Sequence, residues 1–150
     1  MVRIILLRGL PGTGKTTFAE NLVGFSVASA DDYFTGSDGH YRFNPLEYPQ
    51  AHAYCLRKTT ELLRRGRNVV VANTFSQRWE MQFYFDMVRI LREELSLEIM
   101  LTVLDLFDAG LTDAQLAQWN SHDVSESQIA IMRARWEHDW KNGSPTPPAR

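Results

Sequence analysis

The 150-residue chain has a single cysteine, Cys55. That excludes an internal disulfide and any cysteine-rich metal site, and it fits a reducing cytoplasm. No apolar run approaches the roughly 20 residues of a membrane span. The short hydrophobic start, Val2 to Leu7, flows into a glycine-rich loop instead of a cleavage site, so no signal peptide is expected. Positive charge is not in excess: 16 Lys and Arg against 18 Asp and Glu leave a net charge of −2. A protein that coats long nucleic acid would need a broad basic face. One that grips a single strand end is not excluded. Internal repeats and interior linkers are missing too, which leaves one domain, residues 1–141. Asn142 to Arg150, with three prolines, reads as a disordered tail.

What is present is Gly9-Leu10-Pro11-Gly12-Thr13-Gly14-Lys15-Thr16-Thr17, a full match to the phosphate-loop pattern G-x-x-x-x-G-K-S/T. Its context is the required one. Val2 to Leu7 reads as a buried parallel strand. Thr16 to Val23 reads as a helix, with Phe18, Ala19, Leu22 and Val23 at apolar spacing. Backbone N–H groups must wrap a polyphosphate closely, which favours glycine where a Cβ would clash or φ is positive. Gly9, Pro11, Gly12, Thr13, Gly14 and Thr17 are therefore expected to line the nucleotide. Lys15 reaches the β- and γ-phosphates, and the Thr16 hydroxyl holds Mg²⁺. ATP and Mg²⁺ are the expected ligands.

The rest of the chain alternates strands and helices. Phe25 to Ala30 is a second strand that ends in Asp31-Asp32-Tyr33-Phe34. A polar loop over residues 35–46 carries His40, Tyr41, Arg42 and Phe43. A helix from Leu46 or Pro49 to Arg65 closes at Gly66, and Asn68 to Ala72 is the clearest strand. The helix from Gln77 to Glu94 buries Met81, Phe85, Val88 and Leu91 or their neighbours. Trp79, Phe83 and Tyr84 read as core there, not as a base-stacking platform. After a strand at Leu97 to Leu106, the capping boxes Thr112–Gln115 and Ser125–Gln128 open two helices, to Trp119 and Lys141. This order predicts an α/β, three-layer P-loop fold: a four-stranded parallel sheet, strand order 2-3-1-4, helices on both faces and a C-terminal helical lid.

The second motif selects the chemistry. No Asn-Lys-x-Asp stretch reads a guanine base, as a GTPase would require, and the strand at 69–72 ends in Asn73, not in the Asp-Glu of a motor ATPase. A kinase needs a base beside the γ-phosphate to take the proton of the attacking hydroxyl. Asp31 and Asp32 lie at the carboxyl end of a parallel strand, the edge at which open α/β sheets bind ligands. Asp31 is assigned as the base, with Asp32 in the outer shell of Mg²⁺ or in a structural role.

Leu10 to Thr16, followed by Ala30-Asp31-Asp32-Tyr33-Phe34, resembles the 5′-hydroxyl polynucleotide kinase module of phages and its relatives. Gly39 to Phe43, Ala51 to Cys55 and Val70 to Phe75 resemble one branch of these small AAA or zeta-toxin-like ATP-binding kinases. The resemblance implies phosphotransfer to a nucleic-acid end or nucleotide, supports Asp31 as general base, and places Asn73 and Thr74 on the acceptor. A hydroxymethylated base, a sugar or an antibiotic is the alternative acceptor.

This chain departs from the family in its lid. Trp119-Asn120-Ser121-His122-Asp123-Val124 stands where the family has Arg-Asn-x-His-Gly-Val, and no Lys or Arg occurs between Arg92 and Arg133. Three sources of the missing charge stay open. Arg133 or Arg78 swings in; a partner subunit supplies an arginine; or the chain is a nucleotide-binding switch without phosphotransfer. Arg42 is a further substrate-side cation, and Trp119 is a candidate to stack on adenine.

Overall fold

The computed structural model describes residues 1–138. The expected tail at 142–150 and the end of the last helix, up to Lys141, lie outside them. Four strands, β1 (Val2–Gly9), β2 (Phe25–Ala28), β3 (Asn68–Asn73) and β4 (Ile99–Phe107), form one sheet in the order β2-β3-β1-β4. All pairings are parallel, with Ile4 to Arg8 of β1 opposite Val69 to Asn73 of β3. The near-continuous apolar run of β3 is the signature of a strand buried on both faces.

Side chains alternate across the sheet with period two. Ile4, Leu6, Val69 and Val71 face one core, covered by α2 (Tyr48–Arg64) and α3 (Trp79–Leu95) through Ala51, Cys55, Leu63, Met81, Val88 and Leu91. Leu7, Val70 and Ala72 face the other, covered by Ala19 of α1 (Lys15–Glu20). Within α3, Tyr84 is core as expected, whereas Trp79 and Phe83 are more than half exposed. Gly66, at φ +76°, ends α2 with Gly66 N–H donating to Leu63 and Arg67 N–H to Leu62, because only a left-handed residue lets the chain turn back on its last carbonyls.

A third, smaller core joins the phosphate loop to the C-terminal helices α4 (Asp113–Trp119) and α5 (Glu126–Ala134): Leu10, Leu116, Ile129 and Trp136 are all buried in it. Both capping boxes form. The last helix is shorter than its sequence suggests. It stops at Ala134, and Trp136 turns inward to lie under the Arg8 guanidinium, 4.3 Å from its ring centroid. Among the described residues, no helix is long and apolar enough to cross a membrane.

Candidate functional site

The strand β1 delivers the phosphate loop to the carboxyl edge of the sheet. Gly12 and Gly14 both have φ near +90°, where a Cβ is strained. Among the described residues, the amides of Gly12, Gly14, Lys15 and Thr16 find no hydrogen-bond acceptor, so the loop presents free donors, as an anion cradle must. The Thr16 hydroxyl is exposed beside them. A Cβ on Gly12 would sit 2.5 Å from the Leu116 carbonyl oxygen, so this glycine also lets α4 pack onto the loop. Gly12→Ala is therefore expected to destabilise the protein by about 1–3 kcal/mol, read as a lowered urea midpoint.

The Lys15 ammonium donates to the carbonyls of Gly9 at 2.7 Å and Leu10 at 3.2 Å. Burial pushes its pKa down to about 8, with Asp31 pulling the other way. Below pH 8 the fold carries the cost of a buried ammonium, and that cost fades as pH rises from about 8 towards 10.5. Phosphates favour the charged form, so ATP binding above pH 8 should take up a proton and weaken as pH rises. Calorimetry at pH 9 in two buffers of different ionisation enthalpy should show uptake approaching one proton. Lys15→Arg, charged throughout, should show none.

Asp31 opens a 3-10 turn, Ala30–Phe34, whose Ser29 hydroxyl accepts from Asp31 N–H. Its carboxylate accepts from the Tyr41 hydroxyl at 3.2 Å, and His122 Nε2 lies 3.4 Å from the other oxygen. The Tyr41 and His122 rings are 4.0 Å apart between centroids, and His122 Nδ1 is buried without a hydrogen-bond partner among the described residues. His122 comes from the turn between α4 and α5. Asn120 holds that turn by donating to Leu116, Ala117 and Val124 and accepting from His122 and Val124. Asp123 sits there at φ +56°, which explains why glycine is at home at this position. The turn thus brings the lid onto Asp31.

Other expected site residues lie elsewhere. Asn73, expected on the acceptor, is buried, and its amide is hydrogen-bonded within the protein. It accepts from Ala30 N–H at 2.9 Å and donates to Cys55 Sγ, tying β3 to the turn that carries Asp31. Arg78 and Arg133 are both paired with carboxylates in this structure. Arg78 is buried and donates to Glu137 at 2.8 Å. Arg133 donates to Asp108 at 2.6 Å, to Asp113 at 2.8 Å and to the Leu111 carbonyl. Asp32 pairs with Lys58 at 3.3 Å on the α2 side, and Arg42 pairs with Asp38 on an exposed loop. Trp119 is exposed at the end of α4. Thr74 stays close to the loop, its carbonyl accepting from Gly9 N–H at 3.2 Å.

Thr74 also lines a cavity of about 500 Å³ between the first turns of α2 and α3, with Tyr48, His52, Trp79 and Phe83 on its walls. Burial pushes the Tyr48 phenol up to about 12 and draws His52 down, with Asp31 opposing the latter shift. Both groups line the wall of the cavity. Periodicity on α3 gave no hint of it, because a wall facing a cavity and a wall facing a core have the same spacing. Arg8 is the other unforeseen residue. It is wholly buried and donates to Phe75, Ser76 and Glu137 carbonyls and to Asp105. Its signal was a charge inside an apolar strand.

The human NEDD4-binding protein 2 is 28% identical to this chain over 139 residues, which are 89% of the chain and 8% of that protein. The chain thus spans a small fraction of this relative. Two solved structures share the fold at 17% identity. A chain of the Pnkp1/Rnl/Hen1 RNA repair complex has a TM-score of 0.59, covering 89% of this chain and 43% of that one. An unliganded sugar kinase from Janibacter sp. HTCC2649 has a TM-score of 0.57, covering 92% and 79%. The family described as an AAA domain (AAA_33) matches residues 4–138. The chain belongs to this AAA domain family, on a P-loop kinase-like fold.

Proposed function

We propose that this chain transfers the γ-phosphoryl group of ATP to a hydroxyl on a nucleic-acid 5′ end or nucleotide. One observation carries the reading: the end of β3 holds both parts, Asn73 accepting from the Ala30 N–H beside Asp31 and the Thr74 carbonyl from the Gly9 N–H that opens the phosphate loop, so the carboxylate and the loop lie at one carboxyl edge of the sheet. Asp31 takes the proton of the attacking hydroxyl as its oxygen bonds to phosphorus and the bond to the β-phosphate oxygen breaks. The loop amides and Lys15 stabilise the charge that leaves on ADP. Thr16 is the residue to hold Mg²⁺, which would neutralise phosphate charge. Neighbours named as an RNA repair component and a sugar kinase are consistent with phosphotransfer.

A second reading, a nucleotide-binding switch, is favoured by the pairing of Arg78 and Arg133 with carboxylates. Labelled γ-phosphate transfer to a 5′-hydroxyl oligonucleotide decides between them, with a sugar, a hydroxymethylated base and an antibiotic as parallel acceptors. Transfer to the oligonucleotide that disappears in Lys15→Met is the expected result. ATP binding with no transfer to any acceptor would favour the switch, and preferential transfer to another acceptor would replace the nucleic-acid end.

A further inference from the structure

Two side chains close on Asp31 from separate parts of the chain. Tyr41 comes from a small hairpin, where Thr35 and Tyr41 form an antiparallel bridge and Arg42 N–H donates to the Phe34 carbonyl at 2.9 Å. Its ring lies edge to face on the buried Phe34 at 6.1 Å and stacks on Phe43 at 6.4 Å, which holds the hydroxyl at one carboxylate oxygen. Burial and the Asp31 charge both push the Tyr41 phenol up, so it stays a donor. His122 Nε2 faces the other oxygen.

The α4–α5 turn does not need the His122 imidazole for its shape. Asn120 fixes the turn with its own side chain, and what it takes from His122 is the backbone N–H, at 3.2 Å. The ring is left to the carboxylate. Nδ1 is buried with no hydrogen-bond partner among the described residues, so the proton of the neutral ring belongs on Nε2, where an acceptor stands. Packing alone does not require the one donor of the ring to face a carboxylate.

Asp31 gains an orientation from these two contacts. Its side chain is half-exposed, and a free carboxylate on a turn rotates broadly about χ2. Donors on both oxygens select one orientation. A carboxylate offers about four lone-pair sites, so two donors leave room for the proton of an incoming hydroxyl. Aim matters, because a base works within about 2.6–3.2 Å of the oxygen whose proton it removes.

We propose that His122 is a positioning residue: through Nε2 it joins Tyr41 in clamping the Asp31 carboxylate, so the base is aimed only while the α4–α5 turn is docked. The turn, which carries no arginine, then supplies a donor to the base instead of a cation to the phosphate. His122 keeps its own proton throughout. The hydroxyl proton goes to Asp31 as the new oxygen–phosphorus bond forms and the bond to ADP breaks. The inference rests on the phosphotransfer reading for its effect on rate, but not for the contact.

The test is a double-mutant cycle read by single-turnover transfer. His122→Leu keeps bulk and removes the donor. It should slow transfer about ten- to a hundredfold, the scale of a misplaced catalytic group, and leave ATP affinity unchanged. His122→Gln, which restores an N–H donor, should recover most of the rate. In an Asp31→Ala background, His122→Leu should cost nothing further. A merely structural role would give the same loss in both backgrounds. That result, an unchanged rate in His122→Leu, or no recovery in His122→Gln would each overturn the proposal.

Imidazole nitrogen NMR near pH 8 follows the contact without turnover. The Nε2–H tautomer should dominate in the wild type and give way to a mixture in Asp31→Ala. The same tautomer balance in both proteins would overturn the clamp. A tautomer fixed by Asp31, with no transfer to any acceptor, would leave the clamp standing and defeat the kinase reading. Transfer by a wild type with mixed tautomers would do the reverse.

Discussion

Asp31→Ala is expected to lower kcat for phosphoryl transfer by about 10²–10⁴-fold while ATP affinity stays within a few-fold of wild type. The size is that of a general base removed from its transition state. ATP affinity is expected to be spared because the loop amides, Lys15 and Thr16 are the groups proposed to hold the nucleotide and none of them hydrogen-bonds to Asp31 among the described residues. Single-turnover transfer combined with an ATP titration separates the two effects. A normal kcat in the variant would remove Asp31 from the reaction. Loss of ATP binding would make it a structural residue, for instance an anchor for Tyr41 and His122, whose side chains both approach its carboxylate. Tyr41→Phe supplies the control: it deletes one hydrogen bond to Asp31 and keeps the ring, so its effect should be far smaller.

Arg8→Met should cost about 3–5 kcal/mol of stability, measured by urea unfolding, although methionine is hydrophobic and nearly as long. A buried ion pair contributes little by existing and costs a great deal when one partner is removed. Here the loss is larger than one ion pair. The carbonyls of Phe75, Ser76 and Glu137 all accept from Arg8; the buried Phe75 carbonyl would lose its donor, while the Ser76 carbonyl keeps the Glu137 N–H. Asp105 is partly exposed and can recover water, which limits its share. The groups released by the change hold residues 75–76 against 136–137, next to the wall that carries Arg135. A cost below about 1 kcal/mol would mean that the segment finds other donors.

Local patterns carried the fold. The phosphate loop, the apolar run of β3, Gly66 at the end of α2 and the two capping boxes each set their own backbone through short-range rules, and the strand order 2-3-1-4 followed from right-handed crossovers around a central loop. The position of Asp31 at the sheet edge that carries the phosphate loop was also legible. A residue at the carboxyl end of a parallel strand has only one sheet edge to occupy.

Side chains whose meaning depends on what another element offers were not legible. Asn73 reads as an acceptor contact until the Ala30 amide and Cys55 meet it. Arg78 and Arg133 read as mobile cations until Glu137, Asp108 and Asp113 pair with them. Trp79 and Phe83 read as core because helical spacing is blind to whether the facing helix touches or stands off. Arg135 lines the cavity without an ion pair among the described residues, whereas Arg78 and Arg133 are paired. The sequence by itself determined the elements, their order and the edge that carries the phosphate loop, since those rest on contacts within a few residues or on chain handedness. Only tertiary structure decided which cations are free and where a cavity remains, because both are set by pairings between residues far apart in the chain.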